Sequence, residues 1–347
     1  MDEKKKKISF IINPISGTQN KEQILKSIDE KLDKEKYASE VIYTEYAGHA
    51  VEIAEQKARE EVHAVIAIGG DGTINEIARS LVHTQTALGI IPCGSGNGLA
   101  RHLQIPLEVK KAVDIINEGV IDIIDYGKIN DVSFFCTCGI GFDAFVSLQF
   151  SKAGRRGPLT YLEKTLLESL KYRPETYELE MDGSTLRYEA FLIACGNASQ
   201  YGNNAYITPQ ATLTDGLLDV TILEPFTVLD VPSLSFQLFN KTIDQNSRIK
   251  TFRCKTLRIH RSKPGVVHFD GDPMMVGENI DVKIIKKGLQ VIVPRSVEKD
   301  TSNVLQRAQD YINGLKQINE AIVGDIATKN KMILDKGKEQ IKKLTKG

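Results

Sequence analysis

The chain has no tryptophan, only five cysteines among 347 residues, and no surplus of either charge, since 45 Lys and Arg balance 45 Asp and Glu. Without a global positive field, nothing draws the protein onto nucleic acid, and no nucleic-acid partner is expected. The cysteines, at positions 93, 136, 138, 195 and 254, are odd in number and include no Cys-x-x-Cys pair. That argues against zinc ribbons, redox motifs and disulfide scaffolds, and reads as reduced thiols. Long apolar runs are also missing. After the basic residues 1–7, the run 8–12 stops at Asn13-Pro14, too short for a signal-peptide core, and no later stretch reaches the roughly 18 apolar residues of a membrane span. The expectation is a cytoplasmic protein that touches the inner face of a membrane only peripherally.

What is present is a hydrophobic fraction of 41%, enough to demand a buried core. At roughly 100 to 200 residues per domain, the length predicts two domains plus extras. The first third alternates β-rich apolar runs (8–12, 41–43, 62–68 and 87–91) with amphipathic segments at 21–32 and 49–60, and with Ile74, Ile77, Ala78 and Leu81 at helical spacing. Nearly continuous apolar strands suit a parallel sheet covered on both faces, with ligand loops at the carboxyl ends. The pattern changes near Gly127. Tyr177, Leu179 and Met181 alternate into an Asp182-Gly183 turn, residues 186–193 return as a second strand, 217–223 follow an Asp-Gly, and 282–293 read as a hairpin about Lys287-Gly288. An amphipathic helix is predicted at 161–172. Residues 1–127 are therefore expected to be one domain, 128–294 a β-rich second domain, and 295–347 a helical extension. Its last stretch, 328–347, carries seven Lys against two acidic residues. It reads as a solvated helix packing one apolar stripe, or as a membrane-surface contact.

Two glycine-rich segments carry the chemistry. Gly69-Gly70-Asp71-Gly72-Thr73-Ile74-Asn75-Glu76 follows a buried strand, and its glycines free the backbone to approach a ligand with N–H groups aimed at phosphate oxygens. Thr73-x-x-Glu76 is a capping-box pattern, so a helix is predicted to start there with its positive end toward the same spot. A plain βα turn closed by Asp71 is the alternative. One strand later, Pro92-Cys93-Gly94-Ser95-Gly96-Asn97-Gly98 offers three glycines and the polar side chains of Ser95 and Asn97. It is neither a Walker A loop nor a dinucleotide fingerprint, which lack counterparts here in Lys-Ser/Thr and in a small residue at Leu99.

Asn13-Pro14-x-Ser16-Gly17, the 69–76 loop and Pro92-x-Gly94-Ser95-Gly96-Asn97 together resemble the soluble lipid kinases that unite diacylglycerol kinases with sphingosine and ceramide kinases. The likeness runs in order over residues 8–294. It implies a three-layer α/β nucleotide-binding domain followed by a β-sandwich lipid-binding domain, with ATP and Mg²⁺ as cofactors and a membrane lipid as substrate. By that resemblance the ATP site holds Asn13, Pro14, Ser16, Gly17, Thr44, Gly69, Gly70, Asp71, Gly72, Thr73, Asn75, Glu76, Gly94, Ser95, Gly96 and Asn97. Phe269-Asp270-Gly271-Asp272-Pro273 is similar to an Asp-Gly-Glu motif of the family, with Asp272 one methylene shorter, and the resemblance adds Asp272 to the ATP site. Taken alone, Asp270-Gly271 reads as a hairpin turn.

The resemblance further implies a structural Mg²⁺ at Asp215, with backbone oxygens of Thr212 and Leu217, where Asp-Gly by itself suggests a surface turn. It implies a lipid-head contact at Asp143, otherwise a helix cap. Arg155 and Arg156 are candidates for anionic lipid, or solvated loop residues. Phosphoryl transfer to an alcohol requires a base, and Asp71 or Asp270 is expected to serve. The Gly-Ser-Gly-Asn spelling, Gly98 where many diacylglycerol kinases have Asp, and Asp143 lean toward a sphingoid base, whereas Gly141-Phe142-Asp143-Ala144 also resembles bacterial proteins classed with the diacylglycerol kinases, so the substrate is expected to be diacylglycerol or a sphingoid base. An NAD kinase-like enzyme and a non-catalytic lipid-binding protein on a kinase scaffold are the rival readings.

Overall fold

The computed structural model describes residues 5–17, 20–153 and 172–295. The predicted helix at 161–172, apart from Tyr172, lies outside these residues, as do Arg155, Arg156 and the extension 296–347. β1 (Lys6–Ile12), β2 (Tyr37–Tyr43), β3 (Ala64–Gly69) and β4 (Ala87–Pro92) form a parallel sheet in the order β2-β1-β3-β4. Between them run α1 (Lys21–Lys31), α2 (His49–Arg59) and α3 (Asp71–Leu81), followed by α4 (Gly98–His102) and α5 (Val109–Glu118). α1 packs on α5 and α2 on α3. Right-handed crossovers place these pairs on opposite faces of the sheet, giving three layers. β3 and β4 are buried along their whole length, as their unbroken apolar runs require. β2 departs from that expectation: it is the edge strand, and Val41 and Tyr43 are exposed.

The remaining strands are β5 (Val120–Ile129), β6 (Val132–Phe134), β7 (Thr137–Gly141), β8 (Glu175–Met181), β9 (Ser184–Ala190), β10 (Leu192–Gly196), β11 (Leu218–Leu223), β12 (Ile249–Cys254), β13 (Thr256–Arg261), β14 (Gly265–Phe269), β15 (Asp272–Val276) and β16 (Asn279–Val293). β16 extends the first sheet. It meets β4 at Val291, pairs antiparallel with β5 along most of its length, and continues into β13, β8 and β9. The second sheet, β12-β11-β10-β7-β14-β15, is wholly antiparallel. Tyr177, Leu179, Leu257, Ile259, Ile280 and Val282 from one sheet meet Cys138, Ile140, Ile193, Val220, Ile222 and Val267 from the other in one sandwich core. A further apolar cluster, Phe142, Val146, Phe191, Leu192, Ile207 and Leu234, involves α6 (Phe142–Ala153) and α7 (Val231–Phe239).

Two local expectations fail for identifiable reasons. Residues 282–293 do not form a hairpin. β16 runs straight through Lys287-Gly288, and the ladder shifts register there as a bulge. Lys287 N–H donates to the Asp125 carboxylate at 2.7 Å, and the Gly288 carbonyl accepts from His83 N–H at 2.7 Å, so tertiary partners take the groups a turn would use. Residues 186–193 are likewise not one strand, because the chain breaks at Phe191 between β9 in one sheet and β10 in the other. Gly127 falls inside β5 opposite Phe134, whose ring leaves no room for a Cβ.

Candidate active site

The parallel order brings the ends of β1, β3 and β4 side by side, and three loops close over them. Asn13 Nδ2 donates to Thr73 Oγ1 at 3.2 Å, tying the first loop to the second. Gly17, at φ +67°, lies against the third: a Cβ there would sit 1.9 Å from the Cys93 carbonyl oxygen. Gly94 approaches Gly70 so closely that a Cβ on Gly94 would lie 2.6 Å from the Gly70 Cα. These glycines are needed for loop-on-loop contact, not only for turning. The first loop is closed on itself, with Ser16 Oγ donating to the Asn13 carbonyl at 3.0 Å. Lys21 Nζ, which sequence reasoning overlooked, donates to the Ser16 carbonyl at 2.5 Å and brings a cation to this rim. Thr44, buried just past β2, donates its N–H to the Ile12 carbonyl at 2.9 Å.

Asp71 joins the second loop to the third. Asn97 N–H donates to its Oδ2 at 2.8 Å and Gly98 N–H to its Oδ1 at 2.7 Å. Burial pushes the Asp71 carboxyl above its ordinary range, opposed by those amides. Helix α3 begins at Asp71 behind Gly70, two residues before the predicted Thr73 start. The capping box does not form, because Thr73 is already the third residue of α3 behind Gly70, and its Oγ1 accepts from Asn13. The helix end nevertheless points its free N–H groups at the loops, as an anion site requires. The Asn97 side chain, expected to face the nucleotide, closes its own loop by accepting from Gly94 N–H at 2.9 Å and donating to the Gly94 carbonyl at 2.8 Å. Ser95 is exposed, and Gly72 has nothing within 4 Å of where a Cβ would stand. Glu76 lies half-buried one turn along α3.

Asp270 reaches the same region from the sandwich. It lies in the β14–β15 turn at φ +46°, with Gly271 at +90°, so the hairpin reading of Asp-Gly is correct. Its carboxylate has a second use. Oδ2 accepts from Asn75 Nδ2 and Phe135 N–H, both at 2.8 Å, and Oδ1 accepts from Cys136 N–H at 2.8 Å and Thr137 N–H at 3.1 Å. Burial raises its pKa while these four donors hold it down. Asp272 starts β15 and is exposed.

Asp143 stands apart, in the first turn of α6. Oδ1 accepts its neighbour's N–H, from Ala144 at 2.8 Å. Oδ2 accepts from Tyr201 OH at 3.1 Å and faces His268 Nε2 at 3.0 Å, and the side chain is 9% exposed. Neither Tyr201 nor His268 carried a sequence signal, for each is a lone residue with no motif around it.

The implied metal site does not fit. Asp215 Oδ1 accepts from Leu217 N–H at 3.0 Å, and its Oδ2 is bonded to the Arg253 guanidinium, which also reaches Asp219 Oδ1 at 3.3 Å. A side-chain cation already neutralises the carboxylate that a magnesium ion would need. The turn carrying Thr212 to Leu217 is instead fixed by buried Asp125, which accepts Gly216 N–H at 2.7 Å while its own N–H donates to the Leu213 carbonyl at 2.6 Å. Among the described residues no group of three or more His, Cys, Asp or Glu side chains is placed to hold a metal.

Comparison with known proteins agrees with this architecture. Residues 7–129 match the diacylglycerol kinase catalytic domain, and residues 136–293 match the YegS C-terminal NAD kinase beta sandwich-like domain. A diacylglycerol kinase of Mycobacterium tuberculosis is 32% identical over 247 residues, covering 67% of this chain and 77% of the relative. The chain belongs to the diacylglycerol kinase family. The Bacillus subtilis diacylglycerol kinase is 27% identical over 84% of this chain and 97% of its own. A putative diacylglycerol kinase from Bacillus anthracis shares the fold at a TM-score of 0.71 and 22% identity, covering 84% of this chain and 97% of that one. The family is one of lipid kinases, and kinase chemistry implies ATP. Among the described residues no helix is long and apolar enough to cross a membrane.

Proposed function

We propose that this chain transfers the γ-phosphoryl group of ATP to the free hydroxyl of diacylglycerol. The division of labour is residues 1–127 for the nucleotide and 128–294 for the lipid, with transient contact at an anionic membrane surface delivering the substrate. The observation that carries the nucleotide half is the convergence of the 13–17, 69–73 and 93–98 loops at the carboxyl ends of β1, β3 and β4, beside the start of α3. Glycines leave the backbone bare there, and the helix end and loop amides favour a polyphosphate. Mg²⁺ bound to the triphosphate would neutralise charge between the β and γ groups.

Asp71 is the better candidate base. Its two oxygens each accept one loop amide, which leaves acceptor capacity for a substrate hydroxyl. Asp270 has four donors on four acceptor positions and is assigned the positioning of β7 against α3. Burial that raises the Asp71 pKa also makes it the stronger proton acceptor.

The lipid head favours a neutral alcohol. A sphingoid amine needs a carboxylate to pair with, and Asp143 Oδ2 is already shared by Tyr201 and His268. The relatives named diacylglycerol kinase support the same choice. Purified protein with labelled ATP, Mg²⁺ and mixed micelles of either lipid tests it: label is expected in phosphatidic acid. Label only in the sphingoid base would overturn the substrate, and conversion of NAD in place of either lipid would overturn the reading altogether.

A further inference from the structure

The sandwich sends one loop back onto the nucleotide loops. Asn203 N–H donates to the Gly96 carbonyl at 3.1 Å, and the same oxygen accepts Arg101 Nε at 3.0 Å. Gly202, at φ +118°, has no space for a side chain, since a Cβ would lie 2.8 Å from the Cα and carbonyl carbon of Gly96. A Cβ on Gly98 would stand 3.2 Å from the Tyr201 carbonyl oxygen. The loop is stiffened at both ends. Tyr201 N–H donates to the Ala205 carbonyl at 3.0 Å, Asn204 N–H to Gln200 Oε1 at 3.1 Å, and Ser199 N–H to His102 Nδ1 at 3.0 Å. Arg101 Nη1 adds a bond to Asn204 Oδ1 at 3.3 Å.

The Tyr201 side chain leaves this contact in the other direction. Its hydroxyl donates to Asp143 Oδ2 at 3.1 Å, and its ring stands 6.0 Å from that of His268 on the same carboxylate. Two oxygen-to-amide bonds and one phenol therefore connect Asp71 to Asp143: Asn97 to Asp71, Asn203 to Gly96, and Tyr201 to Asp143. We infer that Tyr201 is a positioning residue that couples the nucleotide loop to the polar head of the lipid site. This rests on the proposed nucleotide site and on Asp143 lying at the lipid head, as the family resemblance implies.

The contact between the two loops has no slack. Where glycine backbones touch without room for a methyl group, the 94–98 loop cannot move without displacing the 201–204 loop, because close-packed contacts shift together or separate. A tyrosine has few rotatable bonds and carries that displacement to its hydroxyl. Any movement of Gly96 on nucleotide binding thus changes how firmly Asp143 is held. Thermodynamic reciprocity requires the lipid to alter nucleotide affinity by the same factor. If the phenol only satisfied Asp143, its loss would weaken the lipid site without changing the response to nucleotide.

Hydrogen–deuterium exchange on the full chain tests this, with and without Mg²⁺ and an ATP analogue bearing a β,γ-imido bridge. In the wild type the analogue is expected to slow exchange both at 94–98 and at 142–146. In Tyr201→Phe, protection at 94–98 persists and that at 142–146 is lost. Dioctanoylglycerol is expected to tighten analogue binding to the wild type by roughly fivefold or more, and by less than about twofold in Tyr201→Phe. Wild-type protection confined to 94–98, or undiminished coupling in the variant, overturns the inference while leaving the kinase reading intact. No protection at 94–98 overturns the nucleotide assignment and this inference with it. The wild-type arm decides even if the variant folds poorly.

Discussion

Asn75 and Asp270 lie 195 positions apart in the chain and are joined by a 2.8 Å hydrogen bond between their side chains. Asn75 stands in the second turn of α3, and Asp270 in a hairpin turn of the sandwich. The bond sets the sandwich against the helix whose first residue, Asp71, braces the nucleotide loops. It fills one of the four acceptor positions of Asp270, whereas Asp71, with two loop amides, keeps positions to spare.

Asp71→Asn and Asp270→Asn should therefore fail differently. Asp71→Asn is expected to lower kcat about 10²- to 10⁴-fold, the usual effect of removing a general base. Asp270→Asn turns an NH₂ toward backbone amides that need an acceptor, at a stability cost of about 2–4 kcal/mol. Thermal melts beside steady-state kinetics separate them. A wild-type melting midpoint in Asp270→Asn, with normal turnover in Asp71→Asn, would exchange the two roles.

Two glycine replacements distinguish packing from ligand approach. Gly17→Ala introduces a methyl against the Cys93 carbonyl at a positive φ, and should destabilise by about 1–3 kcal/mol. Gly72→Ala meets nothing within 4 Å and lies in a helical turn, so the fold should be unchanged or up to about 1 kcal/mol more stable. If phosphates approach the open backbone at Gly72, the same substitution raises the KM for ATP. An unaltered KM would place the nucleotide elsewhere.

His102 makes stability depend on pH. Burial pushes its pKa down to about 4, with Lys241 adding to the effect, and the ring accepts Ser199 N–H at Nδ1, which requires a neutral ring. In the unfolded chain the same group titrates near 6.5. The unfolded state binds the extra proton between these values, so the stability is fully present above about pH 6.5 and is lost as pH falls toward 4. Relative to His102→Gln, the wild type should lose about 2–3 kcal/mol over that window in urea titrations. Parallel pH profiles for the two proteins would remove His102 as the cause.

Arg253 should make the Asp215 turn independent of magnesium. Without nucleotide, EDTA is expected to move the melting midpoint by less than about 2 °C, whereas Arg253→Ala leaves two carboxylates facing each other and lowers it. Asp219 has a pKa raised to about 6, first by burial and then by Asp215, with Arg253 opposing. Because the folded state keeps that proton longer, the contribution of Asp219 to stability falls as pH rises from about 4 to 6. Asp219→Asn should gain about 2–3 kcal/mol relative to the wild type across that range. A midpoint several degrees higher with Mg²⁺ would show that the metal displaces the guanidinium.

The local chain by itself determined the parallel strands, their helices and the glycine loops, since period and turn chemistry act over a few residues and are written in consecutive positions. Asn13, Asp71 and Gly94 were visible for that reason, and the loops they belong to do converge. Other features were decided only by partners far away in the chain. Lys287-Gly288 has the composition of a turn, yet Asp125 and His83 take its backbone groups and hold β16 straight. The family resemblance makes Asp215 a metal ligand, yet Arg253, 38 residues on, lies against it. Tyr201 and Asp125 had no motif at all. Their roles come from hydrogen bonds across 58 and 91 residues, and such bonds exist only once distant strands have come together.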